Sequence, residues 1–240
     1  MPKSKRNWWI KKGNKRFENY YENYKKEIEK NNQKFENLEK VISDLKNEIN
    51  ILYKGFEINP GALEKFKNTV FSHIIRFNEL GLIDKGIEKN FNKKIKKYEL
   101  LFRAYKDGFS ASAFHQKCDG KNFTITFVLT KNGRRFGGFT DQAWDQSSNY
   151  KQGSNGFIFS LDNKEIYYNK NNSYNIYGYS AYGPAFGGGL DFYINDSCNS
   201  NNSGENSNHS YNTNGKSYAL SGSSSFQVDD YEVYQIELEK

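Results

Sequence analysis

The apolar residues of this 240-residue chain change their period partway along it, and the two periods belong to different kinds of element. From Phe17 they fall alternately three and four apart: Phe17, Tyr21, Tyr24, Ile28, then Phe35, Leu38, Ile42, Leu45, Ile49, Leu52 and Phe56, with Asn31 the one polar member. A helix with this spacing presents one continuous seam, and the series outlasts the three to four heptads that usually define a coiled coil, so a rod is expected over 17–56. Ile42 and Ile49 take the a positions, Leu45 and Leu52 the d positions, a combination that favours two parallel strands, and Asn31 would fix their register. Lys34 at g and Glu39 at e attract each other in that arrangement. A homodimer through 17–56 follows; the same stripe also suits a helix packed on the chain's own C-terminal part.

Gly55 and Asn59-Pro60-Gly61 end the rod, because proline disfavours helix in the residue before it and glycine admits left-handed backbone. A helical connector is expected over 57–98. Leu63, Phe66, Val70, Ile74 and Phe77 form one stripe; Ile87, Phe91, Ile95, Tyr98 and Phe102 form another, divided from the first by Gly81 and Gly86. Charge divides at the same place. Residues 1–98 carry 23 Lys+Arg against 13 Asp+Glu, and the remainder 12 against 15. The excess that makes the chain +7 is thus N-terminal, beginning with a basic tail over 1–16. Such an excess suits nucleic acid, an anionic membrane surface, an acidic partner or simply solvated helices. No base-reading motif accompanies it, so nucleic acid is not expected as a partner. The apolar stretch Trp8-Trp9-Ile10 is too short for a signal-peptide core, and no window approaches a transmembrane segment, so a cytoplasmic protein is expected.

After Gly120 the period becomes two. Phe123, Ile125, Phe127 and Leu129 alternate with Thr124, Thr126, Val128 and Thr130, which predicts a half-buried strand ending at Lys131-Asn132-Gly133. Further strands are expected at 135–139, 156–161, 165–168, 174–179, 190–194, 218–220 and 226–236, with turn-forming residues between them. This is the pattern of an antiparallel sandwich. The run 196–216, mostly Asn, Ser and Gly, reads as a long exposed loop. The fold class is α+β: a two-sheet antiparallel β-sandwich flanked by helices, preceded by a coiled coil and short helices.

Five blocks follow one another in the C-terminal part: Phe102 to Phe109 with Phe114-His115-Gln116-Lys117-Cys118-Asp119; Arg135-Phe136-Gly137-Gly138-Phe139 with Trp144; Phe157 to Leu161; Gly183 to Asp191; and Phe226 to Tyr234. In this order they resemble the TLDc family from about Glu99 to Ile236, giving a domain over 99–238. The resemblance implies two antiparallel sheets with helices around them, a link to oxidative-stress resistance, and binding to the vacuolar proton-pumping ATPase (V-ATPase), with regulation of its assembly or activity.

The residues themselves offer little chemistry. The histidines are His73, His115 and His209, and the cysteines Cys118 and Cys198 cannot form a disulfide framework. His115 and Cys118 have a spacing that could begin a metal site, but no second pair lies nearby in sequence. Ser110 and Ser112 lack a nucleophile elbow, and Ser110 suits a helix N-cap. Cys118 reads as a small buried hydrophobe or as a redox thiol. Gly187-Gly188-Gly189 reads as a tight turn, lacking the Lys-Ser/Thr of a phosphate loop. Asp191, Asp229, Asp230 and Glu232 read as structural acids or as an acid–base pair. No catalytic residue, cofactor or metal ligand is assigned. The function expected is a non-enzymatic regulatory interaction module. The alternatives are a coiled-coil component of a filament- or microtubule-associated assembly, a carbohydrate-binding sandwich using the Tyr- and Asn-rich loop 169–182, and an enzyme.

Overall fold

The computed structural model describes residues 22–34, 36, 39, 72–170, 173–206 and 208–239. The chain divides into two compact units, Met1–Pro60 and Gly61–Lys240. In the first unit, residues 22–34 are helical and exposed throughout, including the seam residues Tyr24 and Ile28. The rest of the expected rod, and the expected connector helix as far as Val70, lie outside the described residues.

Among the described residues the second unit holds helices α1 (Leu80–Phe91), α2 (Ala104–Asp107) and α3 (Ala111–Cys118) and twelve strands. One sheet runs β1-β12-β2-β3-β5-β6, built from Ile95–Arg103, Val228–Leu238, Thr124–Thr130, Arg135–Thr140, Phe157–Ser160 and Glu165–Tyr168. The other runs β11-β10-β9-β8-β7-β4, built from Ser225–Phe226, Ser203–Glu205, Phe192–Asn195, Tyr182–Phe186, Tyr174–Gly178 and Asn149–Gln152. Every strand pair within the sheets is antiparallel.

The first sheet is covered on both faces. Phe136, Val128 and Ile158 pack with Phe186, Phe192 and Ile194 of the second sheet. Ile125, Phe127, Phe139, Phe157 and Phe159 pack with Ile83 and Ile87 of α1 and with Ile74 ahead of it. The expectation that β2 is half-buried is therefore overturned: Thr124, Thr126 and Thr130 are as buried as the phenylalanines. Its threonine face meets the interior of the sandwich, where the indole N–H of Trp144 donates to Thr124 Oγ1 at 2.8 Å.

Gly137 and Gly138 lie between two crowded layers. A β-carbon on Gly137 would stand 1.9 Å from the Thr126 carbonyl oxygen, and one on Gly138 2.7 Å from the Phe186 ring. Only residues without side chains let these layers close to van der Waals contact.

The second helical stripe is corrected. Ile87 and Phe91 lie on α1, but Asn92, in a left-handed conformation with φ 52°, ends it, and Ile95, Tyr98 and Phe102 belong to β1. Bulges at Ile95/Lys97 and Leu100/Phe102 explain the helical spacing. The first puts Ile95 and Tyr98 on the same face, toward α1, and the second turns Phe102 to the opposite face. The expected domain boundary at Glu99 falls inside this strand.

The expected strand at 218–220 is a turn, while β4, β8 and β10 were not anticipated. β8 hides behind Gly183 and Pro184, which a register shift between Tyr182 and Ala185 accommodates. The expected exposed loop at 196–216 is also corrected: it contains β10 and buries Cys198, Ser203, Glu205, Ser210, Tyr211 and Thr213.

Candidate functional site

The residues with chemical potential do not converge. Ser110 caps α3, its hydroxyl accepting from Ala113 N at 3.2 Å, and Ser112 is exposed. His115 is buried; its Nδ1 lies 2.7 Å from Asp119 Oδ1 and its Nε2 3.0 Å from the Tyr179 carbonyl. Both ring nitrogens are therefore engaged, and neither is free to serve Cys118 one turn later as a base. Burial pushes the Cys118 thiol well above its ordinary value and the Cys198 thiol up to about 12, which opposes the redox-thiol reading because the thiolate is the reactive form. His73 and His209 are exposed. Among the described residues no group of three or more His, Cys, Asp or Glu is placed to hold a metal ion.

Of the four acids, Asp191 and Asp230 are tied to backbone. Asp191 is fully buried and accepts the N–H groups of His209 and Ser210 at 2.8 Å and of Tyr211 at 3.3 Å. Burial pushes its carboxyl up against the pull of those donors. Asp230 accepts the Tyr105 N–H at 3.0 Å. Glu232 pairs with Arg103 and accepts the Tyr234 hydroxyl at 3.1 Å. Asp229 is exposed.

What the second sheet does gather is tyrosine. Ring centroids run Tyr174 to Tyr150 at 5.0 Å, Tyr150 to Tyr177 at 4.4 Å, Tyr177 to Tyr179 at 5.5 Å, Tyr179 to Tyr182 at 5.1 Å and Tyr182 to Tyr193 at 4.7 Å. The row crosses from β4 to β9, and its members are half-buried or exposed. Tyr150 lies directly opposite Tyr177 in the register. Glycines seat both ends: a β-carbon on Gly188 would fall 2.4 Å from the Tyr174 ring, and one on Gly204 2.4 Å from the Tyr193 ring. The first of these belongs to the Gly187-Gly188-Gly189 turn, whose Gly187 has φ +84° and approaches the Asp191 carboxylate.

Rings 4.4 to 5.5 Å apart cannot lie side by side in one plane; their faces overlap or meet an edge. The rings therefore pack on one another along the row, tilted or stacked except for the edge-on pair Tyr179–Tyr182. Burial and the neighbouring phenols of Tyr193, Tyr179, Tyr177 and Tyr150 push the Tyr182 phenol up. Such a surface can make many hydrogen bonds with little side-chain entropy lost. Ring faces turned to a neighbouring ring are not open to sugar stacking. In the sequence only the crowding of tyrosines in 174–182 hinted at this row; Tyr150 and Tyr193 join it through strand pairing alone.

A family model described as the TLDc domain matches residues 68–237. No curated protein matches the chain closely enough to be named as a relative. The matched span begins ahead of Glu99 and takes in α1, the helix that covers the outer face of the first sheet.

Proposed function

The chain belongs to the TLDc domain family, and from that premise we propose that it is a regulatory protein-interaction module, not an enzyme, whose partner is a subunit of the vacuolar proton-pumping ATPase. The family is one linked to oxidative-stress resistance. The observation that carries the reading is the tyrosine row, because half-exposed, rigid aromatic side chains with polar tips are what interfaces concentrate at their energetic centre. Among the described residues singled out by the sequence, Cys118 and Asp191 are buried, and Asp191 is held by backbone N–H groups.

The test is capture of purified pump subunits by the full chain and by a Tyr150→Ala, Tyr177→Ala variant. The reading expects retention by the first and at least about tenfold weaker retention by the second, since hot-spot truncation costs ~2 kcal/mol or more. Retention by neither sinks the proton-pump reading, and equal retention by both takes the contact off this face. A measured turnover lost on changing Cys118, His115 or Asp191 would overturn the non-enzymatic reading.

The second partner in this reading is another copy, joined through residues 17–56. Tyr24 and Ile28 are 57% and 46% exposed on the helix at 22–34, apolar surface that pairing would cover. Sedimentation should give twice the chain mass of 27.9 kDa, and a monomer at micromolar concentration removes the homodimer. Among the described residues no helix is long and apolar enough to cross a membrane. The reading places the protein in the cytoplasm.

A further inference from the structure

Away from the tyrosine row, where Arg135 begins β3, a cleft of about 630 Å³ is lined by Arg76, Glu79, Lys85, Arg135, Asp162 and Lys164, among others. Its floor is fixed. The two terminal guanidinium nitrogens of Arg135 each donate to one Glu79 oxygen at 2.8 Å, and Nη2 also donates to Asp162 Oδ1 at 3.1 Å. The Arg135 side chain is 12% exposed and that of Glu79 9%, so this is a desolvated bidentate pair rather than a surface contact.

Both carboxylates of the cleft are engaged by this guanidinium, and each also accepts a backbone N–H, Glu79 from Arg76 and Asp162 from Arg135, both at 2.8 Å. Arg76, Lys85 and Lys164 have no carboxylate partner among the described residues, and they reach the cleft from three segments: the turn before α1, the body of α1 and the β5–β6 connection. Three cations around one concavity repel one another, and each gains from a shared anion. The volume is that of a small-ligand pocket. Of its lining side chains only Leu82 and Leu161 are apolar, and none is aromatic, so a nucleobase would find nothing to stack on.

We propose that this cleft binds the phosphate groups of a small oligophosphate anion. Arg76, Lys85 and Lys164 supply the charge, and the Arg135–Glu79 pair holds the floor on which they converge. Gly81 supports the assignment of space: a β-carbon there meets nothing within 4 Å, so the helix start leaves the cleft open.

The experiment is calorimetric titration of the full chain with sodium tripolyphosphate, beside an Arg76→Ala, Lys85→Ala, Lys164→Ala variant and a Gly81→Glu variant. The expected result is one site per chain, weakened by added salt and weakened at least about tenfold in each variant, with melting temperatures unchanged. The glutamate variant adds a carboxylate to the cleft without removing any contact, so it keeps the test decisive if the triple variant folds poorly. No binding by the wild type, or binding that both variants retain, overturns the proposal; the latter would place the anion on the basic N-terminal part. Vesicles with and without phosphatidylinositol bisphosphate distinguish the source of the phosphates. Capture that tripolyphosphate displaces, and that the variants lose, assigns them to a lipid headgroup; titration without capture assigns them to a soluble ligand.

Discussion

Asp191 shows how a residue with catalytic potential is committed to structure. Its two oxygens collect three consecutive N–H groups from 209–211, and Glu205 does the same for Leu220 N at 3.0 Å and for Ser221 N and Oγ at 2.7 Å. These two buried carboxylates explain why a polar segment read as exposed loop is folded into the domain. Asn175 completes the arrangement, donating to Asp141 at 3.1 Å while the Tyr211 hydroxyl donates to its backbone carbonyl at 2.7 Å. Replacing Asp191 by Ala leaves three N–H groups facing an empty space. At ~1–3 kcal/mol for each buried donor left unpaired, Asp191→Ala should lose at least ~3 kcal/mol in a urea unfolding curve. A loss under ~1 kcal/mol would mean that water replaces the carboxylate and that the clamp contributes little.

At the scale of elements, alternation and turn residues located the strands that lack irregularities. The strands at 135–140, 157–160 and 165–168 were legible because each alternates or runs apolar between clear turns. β1 was not, because its two bulges convert a period of two into steps of three and four. β4 and β10 were not, because their residues are polar and they become strands only by pairing with β7 and β9. The glycine pair in β3 was visible as a motif, but its cause was not. Gly137→Ala drives a methyl against the Thr126 carbonyl in the middle of the sheet, and should cost at least ~2 kcal/mol, more than ordinary overpacking in a yielding core. Gly133→Ala is the comparison for backbone strain without crowding, since that glycine has φ +83° and open space around it. Equal losses for the two would show that strain, not crowding, governs Gly137.

In the alkaline range the second unit carries a pH dependence set by its buried phenols. Tyr98, Tyr211 and Tyr231 are held well above the ordinary phenol value of 10.0 by burial, and Tyr167 and Tyr234 are raised by burial and by Glu165 and Glu232 respectively. In the unfolded chain these phenols ionise near 10.0; in the fold they keep their protons. Above that pH the folded state binds more protons than the unfolded one, so stability present below 10.0 falls as pH rises. Unfolding free energies measured from about pH 9 to about pH 11 should decline steadily, and a flat profile would show that the buried phenols reach solvent without unfolding. The sequence by itself determined the family, the antiparallel class, the N-terminal location of the excess charge and the Ser110 cap, because each rests on local spacing or on an ordered series of motifs. Only the tertiary structure decided which polar residues are buried, that β2 is covered on both faces, which tyrosines form the row and which cations share a cleft. Those properties depend on distances between segments 20 to 143 residues apart, as in the Trp144–Thr124 hydrogen bond, the Arg135–Glu79 pair and the β1–β12 pairing, and no local pattern encodes such distances.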